Sequence, residues 1–365
     1  MVDKTKITVG LIFGGPSGEH EISCISAASI AKNIDMQKYN VIAIGVGRDG
    51  RWFAPIPFND ISTFKVENYL DYEVYLKPKK DNGKLYANKD NSLVNEIDVV
   101  FEIIHGTYGE DGKLQGLLDI CGIPYVGSGV TGSAVGMDKI ICRQIVKSEG
   151  VSQVKYVSAL RHEWESEPEA VLVGIESELN YPVFVKPANM GSSVGISKAD
   201  NRESLKKAIN EAIRFDSRLM IEEGIEMREI ELSVMGNNDL FVSLPGEILS
   251  AQAFYDYETK YHNTESKTEV PANLDENTIS NLQTIAKKVY RALDLAGLSR
   301  VDFFIEKNTN QIYFNEVNTL PGFTDISMYA KMWQASGIEM SMLIEELINL
   351  AFKRRDDLNR NEIQA

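Results

Sequence analysis

The sequence predicts an α/β chain of two or three domains that opens on a mostly parallel sheet. Three observations carry this. The first third alternates apolar strand-like runs with helical ones, which is the rhythm of βαβ units. At 365 residues the chain is too long for one small domain. Its 43% hydrophobic and 25% charged residues are ordinary for a globular protein with a sizeable core.

Residues 7–13 are apolar and β-branched and read as a buried strand. Residues 21–33 follow as a helix carrying the small side chains Ser26, Ala27, Ala28 and Ala31. Strands recur at 41–46 and 97–104, and 112–121 reads as a helix. Between 52 and 95 the pattern is weak, with short strands at 72–76 and 84–87 about an Asp81-Asn82-Gly83 turn. A cluster of Gly, Ser and Thr over 127–136 marks a domain boundary, and 138–149 resumes as helix. The middle region holds strands at 183–186, 195–197, 219–222 and 230–234, and helices at 165–179 and 202–213. Residues 245–273 are polar, Tyr-rich and weakly patterned, which suits an active-site lid or a surface loop packing locally. Residues 277–293, 326–335 and 339–353 read as helices.

The most informative stretch runs from Arg300 to Asn318. Residues 300–305 and 312–318 are β-branched and aromatic, and Lys307-Asn308-Thr309-Asn310 has turn composition, so a β-hairpin is predicted. With the turn centred near Thr309, Asp302 faces Glu316 and Arg300 faces Asn318. All four side chains then share one face at one end of the ladder. Opposed carboxylates repel unless positive charge lies between them. Asp, Glu and Asn oxygens suit Mg²⁺, which commonly also meets substrate phosphates. The hairpin therefore points to a nucleotide site; the plainer alternative is an exposed face with scattered polar groups.

Other motifs lie at strand ends. Lys186 closes a strand and leads into Pro187-Ala188-Asn189-Met190-Gly191-Ser192-Ser193-Val194-Gly195, a loop that could surround phosphates with an ammonium and backbone N–H groups, or be a simple turn. No Walker A pattern occurs. Lys139 is a second cation, or a solvated helix lysine. The strand end Met220-Ile221-Glu222-Glu223-Gly224-Ile225 could read adenine, with Glu229 toward a ribose, or be a charged surface edge. Gly14 and Gly15 close the first strand where ligands enter parallel sheets, with Glu19 and His20 beside them. Glu21 and Ser23 serve equally well as helix-start acid and cap. His105 opens a Gly-rich loop after another strand.

The formal net charge of −15 argues against a nucleic-acid partner. Cys24, Cys121 and Cys142 are odd in number and lack CxxC spacing, so neither a disulfide framework nor a zinc site is expected. No apolar run approaches the roughly 18 residues of a membrane span. The first residues lead directly into a strand, so no signal peptide and a cytoplasmic location are expected.

Taken together the motifs are specific. They are G-G-x-S-x-E-H-E-I-S (14–23), H-G-x-x-G-E-D-G-x-L-Q-G (105–116), M-D-K (137–139), K-P-A-N-x-G-S-S-V-G (186–195), R-E-I-E (228–231), Y-D-Y-x-x-K-Y (255–261), R-V-D-F-F (300–304) and N-E-V-N-T-L-P-G-F-T (315–324). In this order, over nearly the whole chain, they resemble the D-alanine–D-alanine ligases of the ATP-grasp superfamily. Met227 stands where that family commonly has Gly. The resemblance implies an α/β and α+β fold: a Rossmann-like domain over 1–130, then a two-subdomain ATP-grasp module with a central part over 131–216 and a C-terminal part over 217–365. The lid would span about 246–273.

The same resemblance implies a two-step reaction. ATP phosphorylates the carboxylate of one D-alanine, and the amine of a second attacks the acyl phosphate. Asp302, Glu316 and Asn318 would hold Mg²⁺ or Mn²⁺, typically as two ions. ATP would meet Lys139, Lys186, Ser192, Ser193, Glu222, Glu223, Ile225, Glu229, Lys260, Phe304, Asn315 and Glu316. Arg300 and the Gly322 N–H would stabilise the tetrahedral oxyanion. Glu19 would take the first D-alanine's ammonium, with His105 beside it, and Ser327 and Met328 would receive the second. Tyr261, through Ser192 and Glu19, would fasten the lid, and Lys260 would reach the γ-phosphate. A homodimer is also implied. Alternatives are D-alanyl-D-serine or D-alanyl-D-lactate synthesis, or another ATP-grasp carboxylate–amine ligase. Lactate-forming members often lack the tyrosine at the position of Tyr261. A non-enzymatic α/β binding protein would not need the Asp302, Glu316 and Asn318 cluster.

Overall fold

The computed structural model describes residues 5–80, 83–191, 193–249, 267–324 and 326–362. Three sheets follow one another along the chain. The first comprises β1 (Ile7–Gly14), β2 (Tyr39–Val46), β3 (Trp52–Phe53), β4 (Glu73–Leu76), β5 (Lys84–Ala87), β6 (Leu93–Glu96) and β7 (Val99–Glu102), in the order β6-β5-β4-β3-β2-β1-β7. β1 pairs in parallel with β2 and β7; from β2 outward the pairing is antiparallel. Alternation along β1 sends Val9, Leu11 and Phe13 to one core and Ile12 to another. The first core lies under α1 (His20–Asn33), whose Ala27 and Ile30 face the sheet. The second lies under α2 (Lys113–Cys121), through Leu114 and Leu118.

Helices α3 (Val130–Met137) and α4 (Lys139–Ser148) lead to the second sheet. Here β8 (Tyr156–Leu160), β9 (Val183–Pro187), β10 (Ser197–Ala199) and β11 (Arg218–Glu223) pair antiparallel in the order β10-β9-β11-β8. Helices α5 (Arg161–Ser166), α6 (Pro168–Glu178) and α7 (Arg202–Ala212) cover it. The third sheet contains β12 (Met227–Gly236), β13 (Phe241–Val242), β14 (Gly246–Leu249), β15 (Lys267–Glu269), β16 (Gly297–Glu306) and β17 (Ile312–Asn318). Its core face carries Ile230, Leu232, Val234, Val301, Phe303, Ile305 and Phe314 against α8 (Glu276–Ala292). Two last helices, α9 (Met328–Ala335) and α10 (Met340–Leu358), return to the first core, where Leu343, Leu347 and Ile348 meet Leu11 and Phe101.

Several expectations shift. The helix expected over 165–179 is two helices, because Pro168 cannot continue a hydrogen-bond ladder and Glu167 before it is non-helical at φ −139°, ψ 65°. A boundary at 217 would separate β11 from sheet partners β8 and β9; the second and third sheets divide instead between Glu223 and Met227. The segment 245–273 is bracketed by β14 and β15, which pair with each other. Its remaining residues, 250–266, lie outside the described residues, as does the Asp81-Asn82 turn. Cys24, Cys121 and Cys142 are buried thiols, and burial pushes those of Cys24 and Cys142 up to about 12.

The Gly- and Ser-rich stretch read as a boundary contains helix α3. Its small residues allow close approach. A Cβ on Gly132 would stand 2.4 Å from the Asp294 carbonyl oxygen, and one on Gly136 would stand 2.6 Å from Thr319 Cγ2. This decides a substitution in which two effects compete. Alanine is the better helix former by about 1 kcal/mol, but overpacking against fixed backbone costs about 1–3 kcal/mol. Gly132→Ala is therefore expected to lower the urea midpoint with the slope unchanged; a raised midpoint would refute the contact.

Candidate active site

The predicted hairpin is β16 and β17, and its site end has the predicted register: Asp302 lies opposite Glu316 and Arg300 opposite Asn318. Toward the turn the pairing is offset by one residue, with Phe303 opposite Phe314 and Ile305 opposite Ile312. Asn315 is the extra residue, a β-bulge. On the other side of β16, Glu231 of β12 lies opposite Asp302. Arg300 answers these acids. Its Nε and Nη2 donate to the two oxygens of Asp302 at 2.8 and 2.7 Å, and its Nε stands 3.2 Å from Glu231. Burial works against the charge on Arg300, but Asp302 and Glu231 outweigh it and hold its pKa well above the ordinary value. Lys139 Nζ approaches Glu316 at 3.6 Å and donates to the Met190 carbonyl at 2.7 Å. The carboxylate and amide oxygens of Asp302, Glu316 and Asn318 form a hard-donor set that fits Mg²⁺.

The nucleotide-edge residues cluster around Arg143, which is 1% exposed. Its Nη1 lies 2.5 Å from Glu222, its Nε donates to the Asn315 carbonyl and its Nη2 to Asn315 Oδ1, both at 3.1 Å. Lys186 Nζ donates to the other Glu222 oxygen at 2.5 Å. Burial alone would raise the Glu222 carboxyl, yet Arg143 and Lys186 hold it below the usual range. Glu223 takes a bond from Asn180 at 3.2 Å, and Ile225 is half-buried just beyond β11. Glu229 lies opposite Phe304 in the third sheet. Ser193 sits in a turn at φ 59°. Ser192, Lys260 and Tyr261 lie outside the described residues.

The loops at the strand ends meet. A Cβ on Gly106 would stand 2.6 Å from Glu19 Oε2, and one on Gly191 would stand 3.1 Å from it. Glu19 therefore lies between the loop after β7 and the loop after β9. Glu21 pairs with Arg48, while Ser23 Oγ accepts from Gly14 N–H and donates to the Ile103 carbonyl, so Ser23 ties strand ends rather than capping α1. His105 is buried with Nδ1 2.9 Å from the Leu320 carbonyl and Nε2 3.0 Å from Ser26 Oγ. Burial lowers its pKa. Gly322 lies against Ser327, whose Oγ a Cβ there would meet at 3.0 Å. Ser327 precedes α9, Met328 begins it, and Ser327 Oγ accepts from Thr324 N–H at 3.1 Å.

Family models described as D-ala D-ala ligase N-terminus and C-terminus match residues 8–128 and 145–349. The chain belongs to the D-alanine–D-alanine ligase family. The D-alanine–D-alanine ligase of Natranaerobius thermophilus is 44% identical over 357 residues, covering 98% of each chain. That of Caldicellulosiruptor bescii is 45% identical over 357 residues, covering 96% of each. Among solved structures, the VanG D-Ala:D-Ser ligase from Enterococcus faecalis superposes with a TM-score of 0.85 at 34% identity, covering 95% of this chain and 99% of its own. The D-alanine–D-alanine ligase from Coxiella burnetii gives 0.84 at 32% identity, covering 97% and 96%. The expected architecture, an N-terminal domain followed by ATP-grasp domains, is that of the D-alanine–D-alanine ligases.

Four residues packed around these candidate groups were not singled out as site candidates from the sequence: Glu231, Arg143, Glu110 and Ser26. Glu231 shares a strand face with Glu229 by simple alternation, a signal that was available. The others depend on long-range packing. Glu110 accepts from Gly106 N–H at 2.8 Å and Leu320 N–H at 3.2 Å. Burial, then the Glu19 charge, push its carboxyl up to about 8.

Two predictions follow from these networks. Removing one partner of a buried ion pair costs about 3–5 kcal/mol. Arg143→Met is expected to lose about that much in denaturant unfolding, and Arg143→Met with Glu222→Met distinctly less than the sum of the two single variants. Additive losses would dissolve the pair. Glu110 binds a proton in the folded state over a range where the unfolded chain has released it. Its contribution is thus complete below about 4.5 and lost as pH rises toward about 8. Glu110→Gln is expected to flatten the fall of unfolding free energy across that window; an unchanged slope counts against it.

Proposed function

We propose that the protein joins two D-alanines into D-alanyl-D-alanine with ATP, through a D-alanyl phosphate, and so supplies peptidoglycan precursor synthesis. The observation that carries this reading is the ladder end where Glu231, Asp302 and Glu316 stand in register with Arg300 among them, in a chain of this family. A carboxylate is a poor electrophile. One oxygen of the first D-alanine attacks the γ-phosphorus, ADP departs, and the carboxyl carbon gains a leaving group. The amine of the second D-alanine then attacks that carbon, phosphate departs, and the amine sheds a proton. Phosphoryl transfer depends on positioning and charge neutralisation.

Asp302, Glu316 and Asn318 would hold Mg²⁺ or Mn²⁺, two ions in this reading. When bound, the metal neutralises the phosphate oxygens. Lys139 and Lys186 meet the phosphates. Glu222, Glu223, Ile225, Glu229, Phe304 and Asn315 surround the adenosine. Glu19 fixes the first D-alanine's ammonium, while Ser327 and Met328 receive the second D-alanine. Arg300 and the Gly322 N–H stabilise the oxyanion, a contribution of about 3–4 kcal/mol per donor in other enzymes. Ser192, Ser193, Lys260 and Tyr261 complete the closed site in this reading. No helix among the described residues is long and apolar enough to cross a membrane; a cytoplasmic homodimer is part of the proposal.

Phosphate release from ATP is expected to need both Mg²⁺ and D-alanine. Release with L-alanine but not D-alanine would overturn the reading. Glu316→Gln is expected to lower turnover by about 100-fold or more, since a metal site supplies several kcal/mol, with the circular dichroism spectrum unchanged. A second reading, D-serine as acceptor, is favoured by the likeness to the Enterococcus faecalis D-Ala:D-Ser ligase. Product identification with D-alanine, D-serine and D-lactate offered together separates the readings, and D-alanyl-D-alanine is the expected main product.

A further inference from the structure

Ser26 is fully buried in the middle of α1, and nothing in the proposed chemistry uses it. Its surroundings give it a task. The Phe323 N–H donates to Ser26 Oγ at 3.4 Å, Ser26 Oγ lies 3.0 Å from His105 Nε2, and His105 Nδ1 lies 2.9 Å from the Leu320 carbonyl. The direction of each bond is fixed by chemistry. A carbonyl oxygen only accepts, so Nδ1 carries the ring proton. In the neutral ring Nε2 is then an acceptor and takes the serine hydroxyl proton. The serine lone pairs remain for the Phe323 N–H. The chain of donors runs from Phe323 through Ser26 and His105 to Leu320, back to the loop where it began.

The two anchored groups bracket Pro321 and Gly322. Proline has no N–H, so the one backbone donor between the anchors belongs to Gly322. Glu110 holds the same loop from the other side through the Leu320 N–H. Phe323 is packed edge-on against Phe101, with ring centroids 5.7 Å apart, and beside Tyr329. Side chains of the first-sheet region thereby set the orientation of a peptide that belongs to the third.

We propose that Ser26 and His105 are positioning residues that clamp the Pro321–Gly322 turn and aim the Gly322 N–H at the developing oxyanion. This rests on the proposed ligase reaction and deepens it. His105 acts through both ring nitrogens on protein groups. Ser26→Ala removes the partner of a buried N–H and the donor to Nε2, while leaving the ATP side of the site untouched.

Steady-state kinetics of Ser26→Ala test this. The expected result is a fall in kcat of about 10- to 100-fold, the scale of a misplaced reacting geometry, with KM for ATP within about twofold of the parent protein. An unchanged kcat, or a KM for ATP that rises in step with the loss, overturns the proposal. A second measurement does not depend on how the variant folds. Imidazole ¹⁵N spectra of the unmodified protein, with His105 assigned by the signal lost in His105→Gln, are expected to show Nδ1–H at neutral pH. An Nε2–H tautomer overturns the clamp. Absence of D-alanine-dependent turnover in the unmodified protein overturns the ligase reading instead, and the tautomer still decides the clamp.

Discussion

Three carboxylates in register impose the central constraint on this structure. Glu231, Asp302 and Glu316 stand side by side across β12, β16 and β17, the first two buried. Like charges opposed on a sheet face destabilise it, and buried charges without partners cost more. Arg300 resolves the buried part, reaching both Asp302 and Glu231 from its own strand two residues away. Glu316, further out, is approached by Lys139 at the looser distance of 3.6 Å. The buried carboxylates are thus closely compensated by Arg300, and the more exposed carboxylate, Glu316, lies on the edge strand with Asn318. That edge is where a cation from solution gains most, so the metal expectation and the ion pairs describe one electrostatic arrangement.

Register makes this possible, and regular pairing alone does not supply it. The turn places Glu306 opposite Gln311 and Phe303 opposite Phe314, so the aromatic pair meets edge-on in the core with centroids 6.3 Å apart. Continued without interruption, that pairing would set Asp302 opposite Asn315 and Glu316 opposite Val301. The Asn315 bulge inserts the residue that lets core and site each have the register they need. A bulge leaves a carbonyl off the ladder, here at a buried residue, and such groups require a partner. Arg143 provides it while also neutralising Glu222. One buried guanidinium therefore holds the hairpin's irregularity to the second sheet.

The sequence was most readable where short-range rules decide. Alternation and turn composition located the hairpin and paired Asp302 with Glu316, although the bulge was invisible, because it depends on the partner strand and on Arg143 from a distant helix. The Gly-rich run before Met137 reads as a boundary, but the approach of its glycines to Asp294 and Thr319 has no local trace. Pro168 was a local signal that a longer apolar pattern concealed. Ser26 reads as one small residue on a helix face. Its hydrogen bonds lie 79 and 297 residues away in sequence, beyond any periodicity argument. The family motifs name candidate site residues without indicating which partners hold them.

Those partners share one feature. Loops at the strand ends, and the bulge within β17, carry backbone groups without ladder mates, and side chains from other parts of the chain satisfy them. Lys139 takes the Met190 carbonyl, Arg143 the Asn315 carbonyl, and His105 the Leu320 carbonyl, while Glu110 takes the Leu320 N–H. Each loop is thereby positioned by a region it does not belong to. A loop fixed this way needs no regular structure of its own, and its peptide groups can be aimed at a reactant rather than at a neighbouring strand. The same dependence means that substitutions well away from any reacting atom change geometry first and chemistry in consequence, because a peptide plane released at one anchor turns about the other.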